Sequence, residues 1–349
     1  MKACIATFHK ADNYGAVLQA YALQKALEKL GVQSGFIEFE ELERKANPVR
    51  EARGKAPHAF VERLRKAGKD RSALFDEFRA KYLKCATPVS AEQSGTLNDI
   101  YDVFIAGSDQ VWNLKLPEAD ERYFLPFAKP DKRVSYAASF GTDKIPDNLK
   151  EWYKERLNGF HSISVREESG REIVEELTGK DCAVCLDPVL VLNREEWMSL
   201  AAQQSGKPYL FLYMVDYDAQ LAASAKSEAE ERGLELKTAT AGFIPQFGID
   251  AWSGVGVEKW LSLIYNSEGV FTNSFHCTAF AMIFGKPVET AMLKEGLARR
   301  NGRLEELLRL GGLENANKPD FISAEDFDLR ISGKRESSVK FLLDALNIK

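Results

Sequence analysis

This chain of 349 residues is marked first by what it lacks. Its apolar stretches are short and broken by polar residues, so none reaches the roughly 20 positions needed to span a membrane. The N-terminal MKACIATFHK carries a basic residue but no continuous apolar segment behind it. A secretory leader is therefore not expected, and the expected location is the cytoplasm. Surplus positive charge is also missing: 47 Lys and Arg stand against 52 Asp and Glu, a net charge of -5. A phosphate backbone is bound by clustered Lys and Arg, so no nucleic-acid partner is expected. Cys182 and Cys185 form one C-A-V-C unit, but there is no second such pair and no nearby histidine pair to complete a zinc site. A thioredoxin-like motif would open a helix, whereas DCAVCLDPVLVL reads as a β-strand, so both thiols are expected as small apolar groups in a buried strand. A Walker loop, a GxGxxG fingerprint, HExxH, GxSxG and an EF-hand loop are all absent. No ligand cluster demands a metal, and no cofactor is assigned.

What is present is ordinary for a globular protein with an ample core: 45% hydrophobic and 28% charged residues. The length suggests two domains. From ACIATF onward, strand-like runs alternate with helical ones, first to about CAVCLDPVLVL and then afresh from KPYLFLYMVD. AVLQAYALQKALEKLG reads as an amphipathic helix. PHAFVERLRKAG and SALFDEFRAKYL read as two helical segments. Such alternation implies parallel sheets joined by right-handed crossovers. The expected fold is α/β: two Rossmann-like, doubly wound parallel-sheet domains facing a cleft. Residues 1–200 form the first, 201–335 the second, and 336–349 a C-terminal helix packing back on the first.

In such sheets ligands sit beyond the carboxyl ends of the strands, so the polar residues after each strand are the site candidates. After the first strand, Asn13 and Gly15 stand where the chain turns into a helix. They could receive an anion on free N–H groups, or Asn13 could simply cap the helix. In FIAGSDQVWN, Ser108 and Asp109 follow a strand; Asp109 could take a proton or bind sugar hydroxyls, and Trp112 could stack on a sugar. The plainer reading is a cap beside a core tryptophan. Ser139 in YAASFG could present a hydroxyl. Arg166 in SVREESG suits bidentate binding of carboxylate or phosphate, or else pairs with a neighbouring glutamate. In TNSFHC, Asn273, Ser274 and His276 crowd a strand end, with His276 at a helix start. That density favours a ligand-facing histidine over a packed one. His9 ends the first strand and could also reach the cleft.

Taken together and in this order, NYGAVLQAYAL, FIAGSDQVWN, RVSYAASFG, SVREESG, CLDPVLVL and TNSFHCTAFAMIFGKP resemble the polysaccharide pyruvyl transferase family. ARRNGRLEELLRLGGLE resembles the family's C-terminal arginine-containing helix, which brings in Arg303. The resemblance implies a two-lobed fold like that of GT-B glycosyltransferases. It implies phosphoenolpyruvate as donor and a sugar as acceptor, carried on a nucleotide or a lipid diphosphate. A lipid carrier would mean peripheral contact with the inner face of the membrane. The implied product is a pyruvate ketal on a cell-envelope or capsular polysaccharide precursor. His276 is carried over as the catalytic residue. The donor-binding set is Arg166, His276, Ser274 and Asn273; the acceptor or cleft-lining set is Asn13, Gly15, Ser108, Asp109, Ser139 and Arg303. Many family members carry an arginine two residues before the histidine, where this chain has Ser274. A second cation then has to come from Lys286, Arg299, Arg300 or Arg303. Two other functions fit the same residues: a GT-B-type glycosyltransferase holding a nucleotide sugar on the loop AGFIPQFGIDAW, and a non-catalytic sugar-binding protein.

Overall fold

A computed structural model describes residues 1–38, 58–84, 94–116, 120–203, 206–240, 251–252, 255–292, 301–313 and 320–348. The loop expected from Glu41 to Pro57, most of AGFIPQFGIDAW, Arg299 and Arg300 lie outside the described residues, apart from Ala251 and Trp252.

The alternation of the sequence becomes two parallel sheets. The first holds β1 (Lys2–Ala6), β2 (Gln33–Phe36), β3 (Val103–Ala106), β4 (Arg133–Ala138), β5 (Ser162–Val165) and β6 (Ala183–Val184), in the order β2-β1-β3-β4-β5-β6. The second holds β7 (Tyr209–Met214), β8 (Glu235–Thr240), β9 (Ala251–Trp252), β10 (Gly269–Thr272) and β11 (Val288–Thr290), in the order β11-β10-β7-β8-β9. Every pairing is parallel, as helical crossovers require. Strand order reverses beside β1 in one sheet and beside β7 in the other, and ligand crevices open at such reversals.

Helix α1 (Tyr14–Lys29) is the first departure from the sequence reading. Thirteen of its 16 residues are buried, so it is no one-sided surface helix. It is wedged between the lobes. The Tyr14 hydroxyl donates to the Val255 carbonyl at 2.7 Å, and its ring stacks on Trp260 at 4.8 Å. A single apolar core therefore runs from the first sheet through α1 into the second lobe.

Three other elements differ from expectation. Helix α2 (His58–Tyr82) is continuous where two segments were read. The intervening Gly68 costs only about 1 kcal/mol in a helix interior, too little to break one that is otherwise favourable. DCAVCLDPVLVL is not a long strand. After Val184 it ends in a 3-10 turn, Pro188–Leu190, capped by the Asp187 side chain on the Val189 N–H at 3.1 Å. β6 has already ended at Val184, and Pro188, with no N–H to give a sheet, keeps the strand from resuming. Cys182 and Cys185 are buried free thiols all the same, pushed by burial up to about 12 and about 11. The last helix begins well before residue 336, at Ala324, because Ser323 caps it on the Asp326 N–H and Glu325 and Asp326 fill its first turn. This helix (Ala324–Ala345) reaches the first lobe: the Ser338 hydroxyl accepts from the Leu186 N–H, and Arg335 donates to the Leu190 carbonyl. Among the described residues no helix is long and apolar enough to cross a membrane.

Candidate active site

Arg166 follows β5 directly, its N–H donating to the Ala138 carbonyl of β4, so the sheet itself aims the side chain. The guanidinium is almost wholly buried and meets three carboxylates. Nη1 pairs with Asp187, Nε lies 3.3 Å from Glu167, and Nη2 lies 3.6 Å from Asp109. Its other face covers the Phe275 ring at 5.0 Å. Burial works against the charge, but Asp187, Glu167 and Asp109 together outweigh it and hold the arginine's proton more firmly than usual. Nη2 has no hydrogen-bond partner.

Asp187 is fully buried. Burial pushes its pKa up, yet His276, Arg166 and the Val189 N–H more than reverse this and hold it well below the usual carboxylate range. Asp187 is thus ionised at neutral pH. The same Oδ2 that meets Arg166 lies 3.4 Å from His276 Nε2.

His276 is the second residue of the helix Phe275–Ile283, which starts after β10. Its ring lies directly over Gly15, near the start of α1: a Cβ at Gly15 would collide with Nδ1. Only glycine permits this approach. The histidine thus reaches out of the second lobe into the first.

Asp109 owes its place to an unusual backbone. Gly107 has φ 106°, and a Cβ there would strike the Tyr136 carbonyl. Asp109 itself is left-handed at φ 71°, rare for a residue with a side chain, and pairs with Ala138. Such conformations concentrate at functional sites. On the far side, Arg303 from the helix Asn301–Gly311 lies 3.6 Å from Glu167, so Glu167 sits between two guanidiniums. A cavity of about 30 Å³ adjoins this pair, lined among others by Asp187, Phe275, Glu306 and Lys334. It has room for a water or two.

The structure therefore gathers Arg166, His276, Asp109, Gly15 and Arg303 around Asp187 and Glu167. The remaining sequence candidates hold backbone. Asn13 caps α1 on the Ala16 N–H, and Ser274 caps the histidine's helix on the Cys277 N–H. Asn273 accepts from the Val215 N–H at 2.9 Å and donates to the Asp216 carbonyl at 2.7 Å, tying β7 to β10. The Ser108 hydroxyl donates to the Ala137 carbonyl, and that of Ser139 accepts from the Gly141 N–H. Trp112 is a core residue against Phe124, not an exposed platform. His9 is buried against Phe36, and burial pushes it down to about 4, so it is neutral at pH 7. Lys286 lies over the Tyr265 ring.

Asp187 and Glu167 were missed as site residues. Their signals are an Asp-Pro pair that cannot continue a strand and a glutamate directly beside the arginine.

The sequence model of the family described as polysaccharide pyruvyl transferase matches residues 13–288. That span contains Arg166, Asp187 and His276 and stops short of Arg303. No curated protein matches the chain. The S. aureus MnaA–UDP co-structure superposes with a TM-score of 0.52 at 10% identity, covering 100% of this chain and 97% of that one. UDP-GlcNAc 2-epimerase from Neisseria meningitidis, bound to UDP-GlcNAc, gives 0.49 at 11% identity over 99% and 100% of the two chains. The spinosyn rhamnosyltransferase SpnG gives 0.41 at 12% over 99% and 96%. At 10% identity the likeness to MnaA is one of fold, and with its two parallel sheets the chain has the two-lobed, GT-B-like α/β architecture.

Proposed function

The chain belongs to the polysaccharide pyruvyl transferase family, and from that premise we propose that it forms a pyruvate ketal on a sugar of a cell-envelope or capsular polysaccharide precursor, with phosphoenolpyruvate as donor. The observation that carries this reading is the convergence of Arg166 and His276, from different lobes, on one buried carboxylate, Asp187. The reaction needs what these side chains offer. A proton is added to the donor's methylene carbon, which becomes the methyl group and leaves positive charge on C2. One sugar hydroxyl attacks C2 and loses its proton. The C2–O bond to phosphate breaks, and a second hydroxyl closes the ring and loses its own. Of the two protons released, one balances that taken up by the methylene and the other leaves on phosphate. His276 serves as the acid or base, or as a cation against the phosphate; Arg166 opposes the donor's negative charge.

Ser274 is engaged as a helix cap and brings no charge, so the second cation falls to Arg303, which shares Glu167 with Arg166. The donor is a multiply charged anion and the adjoining cavity is small, so binding requires these side chains to part and Glu167 to yield its place. The acceptor sugar is carried on a nucleotide or a lipid diphosphate; with a lipid carrier the protein works at the membrane surface.

Thermal unfolding with millimolar phosphoenolpyruvate tests the reading, with phosphate, pyruvate and UDP as controls. A ligand that binds only the folded state stabilises it by about 2.7 kcal/mol at 100 times its Kd. A rise in midpoint specific to phosphoenolpyruvate, reduced in Arg166→Lys, is expected. A rise with UDP and none with phosphoenolpyruvate, even with UDP present, would sink the donor assignment.

A further inference from the structure

Arg166 and His276 do not touch through their polar atoms; what relates them is Asp187. We infer that Asp187 is a positioning residue for the proposed reaction, holding the His276 imidazole and the Arg166 guanidinium in one fixed relation across the lobe boundary. This rests on the reading above.

The carboxylate is unusually constrained. It has no exposure to solvent, so its charge must be met within the protein. Oδ1 is committed to the Val189 N–H in the turn that Pro188 forces. That bond fixes the direction of Oδ2, which faces Arg166 Nη1 and His276 Nε2 together. Gly15 bounds the imidazole on its Nδ1 edge. The ring is thus held between a carboxylate and the start of α1; Nε2 faces Asp187 Oδ2 at 3.4 Å without a hydrogen bond in this state, and on this inference a proton on Nε2 is the one that carboxylate favours. A carboxylate behind a histidine sets its tautomer and its aim, and the reacting group inherits both. Arg166 and Asp187 belong to the first lobe and His276 to the second. Asp187 therefore makes the pair a unit whose spacing depends on how the lobes meet. Glu167 and Asp109 also face Arg166, but neither has a contact with His276 among the described residues, so neither substitutes.

The test uses the full chain. First, ¹⁵N NMR of wild type, with His276 assigned through its loss in His276→Gln, reads the tautomer without any ligand. Nε2 protonated is the expected result; a protonated Nδ1 in the neutral ring overturns the inference. Second, Asp187→Asn keeps the shape and the Val189 cap but removes the charge. Phosphoenolpyruvate affinity is expected to fall about 10- to 100-fold, the range seen when the group orienting a metal-ligating histidine is lost. In the His276→Gln background the same substitution should cost much less, because the two act through one another. Equal losses in both backgrounds would leave Asp187 a structural residue only. If Asp187→Asn fails to fold, the wild-type tautomer still decides. If wild type shows no response to phosphoenolpyruvate, the donor assignment fails, while the tautomer still reports on Asp187.

Discussion

The carboxyl edges of the two sheets are finished in different chemistry. In the first lobe the edge ends in ions: Arg166 with Asp187, Glu167 and Asp109. In the second it ends in neutral hydrogen bonds, with Asn273 bridging Val215 and Asp216 and Ser274 capping a helix. His276 alone carries a titratable ring from the neutral edge to the charged one. An ionic edge is a set of mutually dependent groups, since removing one partner leaves the others charged and dry. A neutral edge is closer to a sum of separate bonds. The first lobe thus holds most of the chemistry, and the second presents His276 and Arg303 to it.

That contrast can be broken most sharply at Arg166. Arg166→Ala takes the shared guanidinium from Asp187, Glu167 and Asp109, and loss of one partner of a buried pair costs about 3–5 kcal/mol. Its burial among carboxylates ties this arginine to the fold as well as to the site. Urea unfolding should show Arg166→Lys keeping more of the stability. An alanine variant within about 1 kcal/mol of wild type would mean that the ions do not act as a unit.

A smaller effect is expected at the neutral edge. Asn273→Ala leaves the Val215 N–H and the Asp216 carbonyl without their partner, at about 1–3 kcal/mol. Combined with Asp187→Asn, its cost should simply add. A clear departure from additivity would show the two edges to be coupled through His276.

A third way to sharpen the contrast, read in acid, concerns Asp187. Its folded pKa is depressed, so its contribution is present above the unfolded value of about 3.9 and lost as pH falls through the folded one. Asp187→Asn should therefore flatten the acid side of the stability profile. The gap between variant and wild type should be constant from pH 6 to 7 and narrow below roughly pH 4. A gap that persists unchanged into strong acid would mean that charge is not what Asp187 supplies.

Much of this architecture was legible because strands and helices announce themselves by period, and the run from ACIATF to PVETAML gave both sheets. Local signals also placed His276 at a helix start and Arg166 at a strand end. Less visible was what depends on contacts distant in sequence. Helix α1 reads as amphipathic because nothing in its own residues says that a second lobe will cover its outer face. Asp187 meets Arg166 from 21 residues away and acquires its role only when β6 stops after two residues. Ser274 and Asn273 look like ligand groups in sequence, because a cap and a tie between strands use the same side chains as a binding site.

The burial of α1 on both sides bears on how such a protein can be divided or recombined. The lobes look like interchangeable modules, one sheet each, but the helix that follows the first strand is also a wall of the second lobe. A chain cut between Ala201 and Tyr209 would leave Tyr14 without Trp260 and the second half without its cover. Inheritance of one lobe without the other's matching face would expose apolar side chains of α1 and of the second lobe to water. A chimera between relatives would keep its junction intact only if α1 travelled with the lobe it covers.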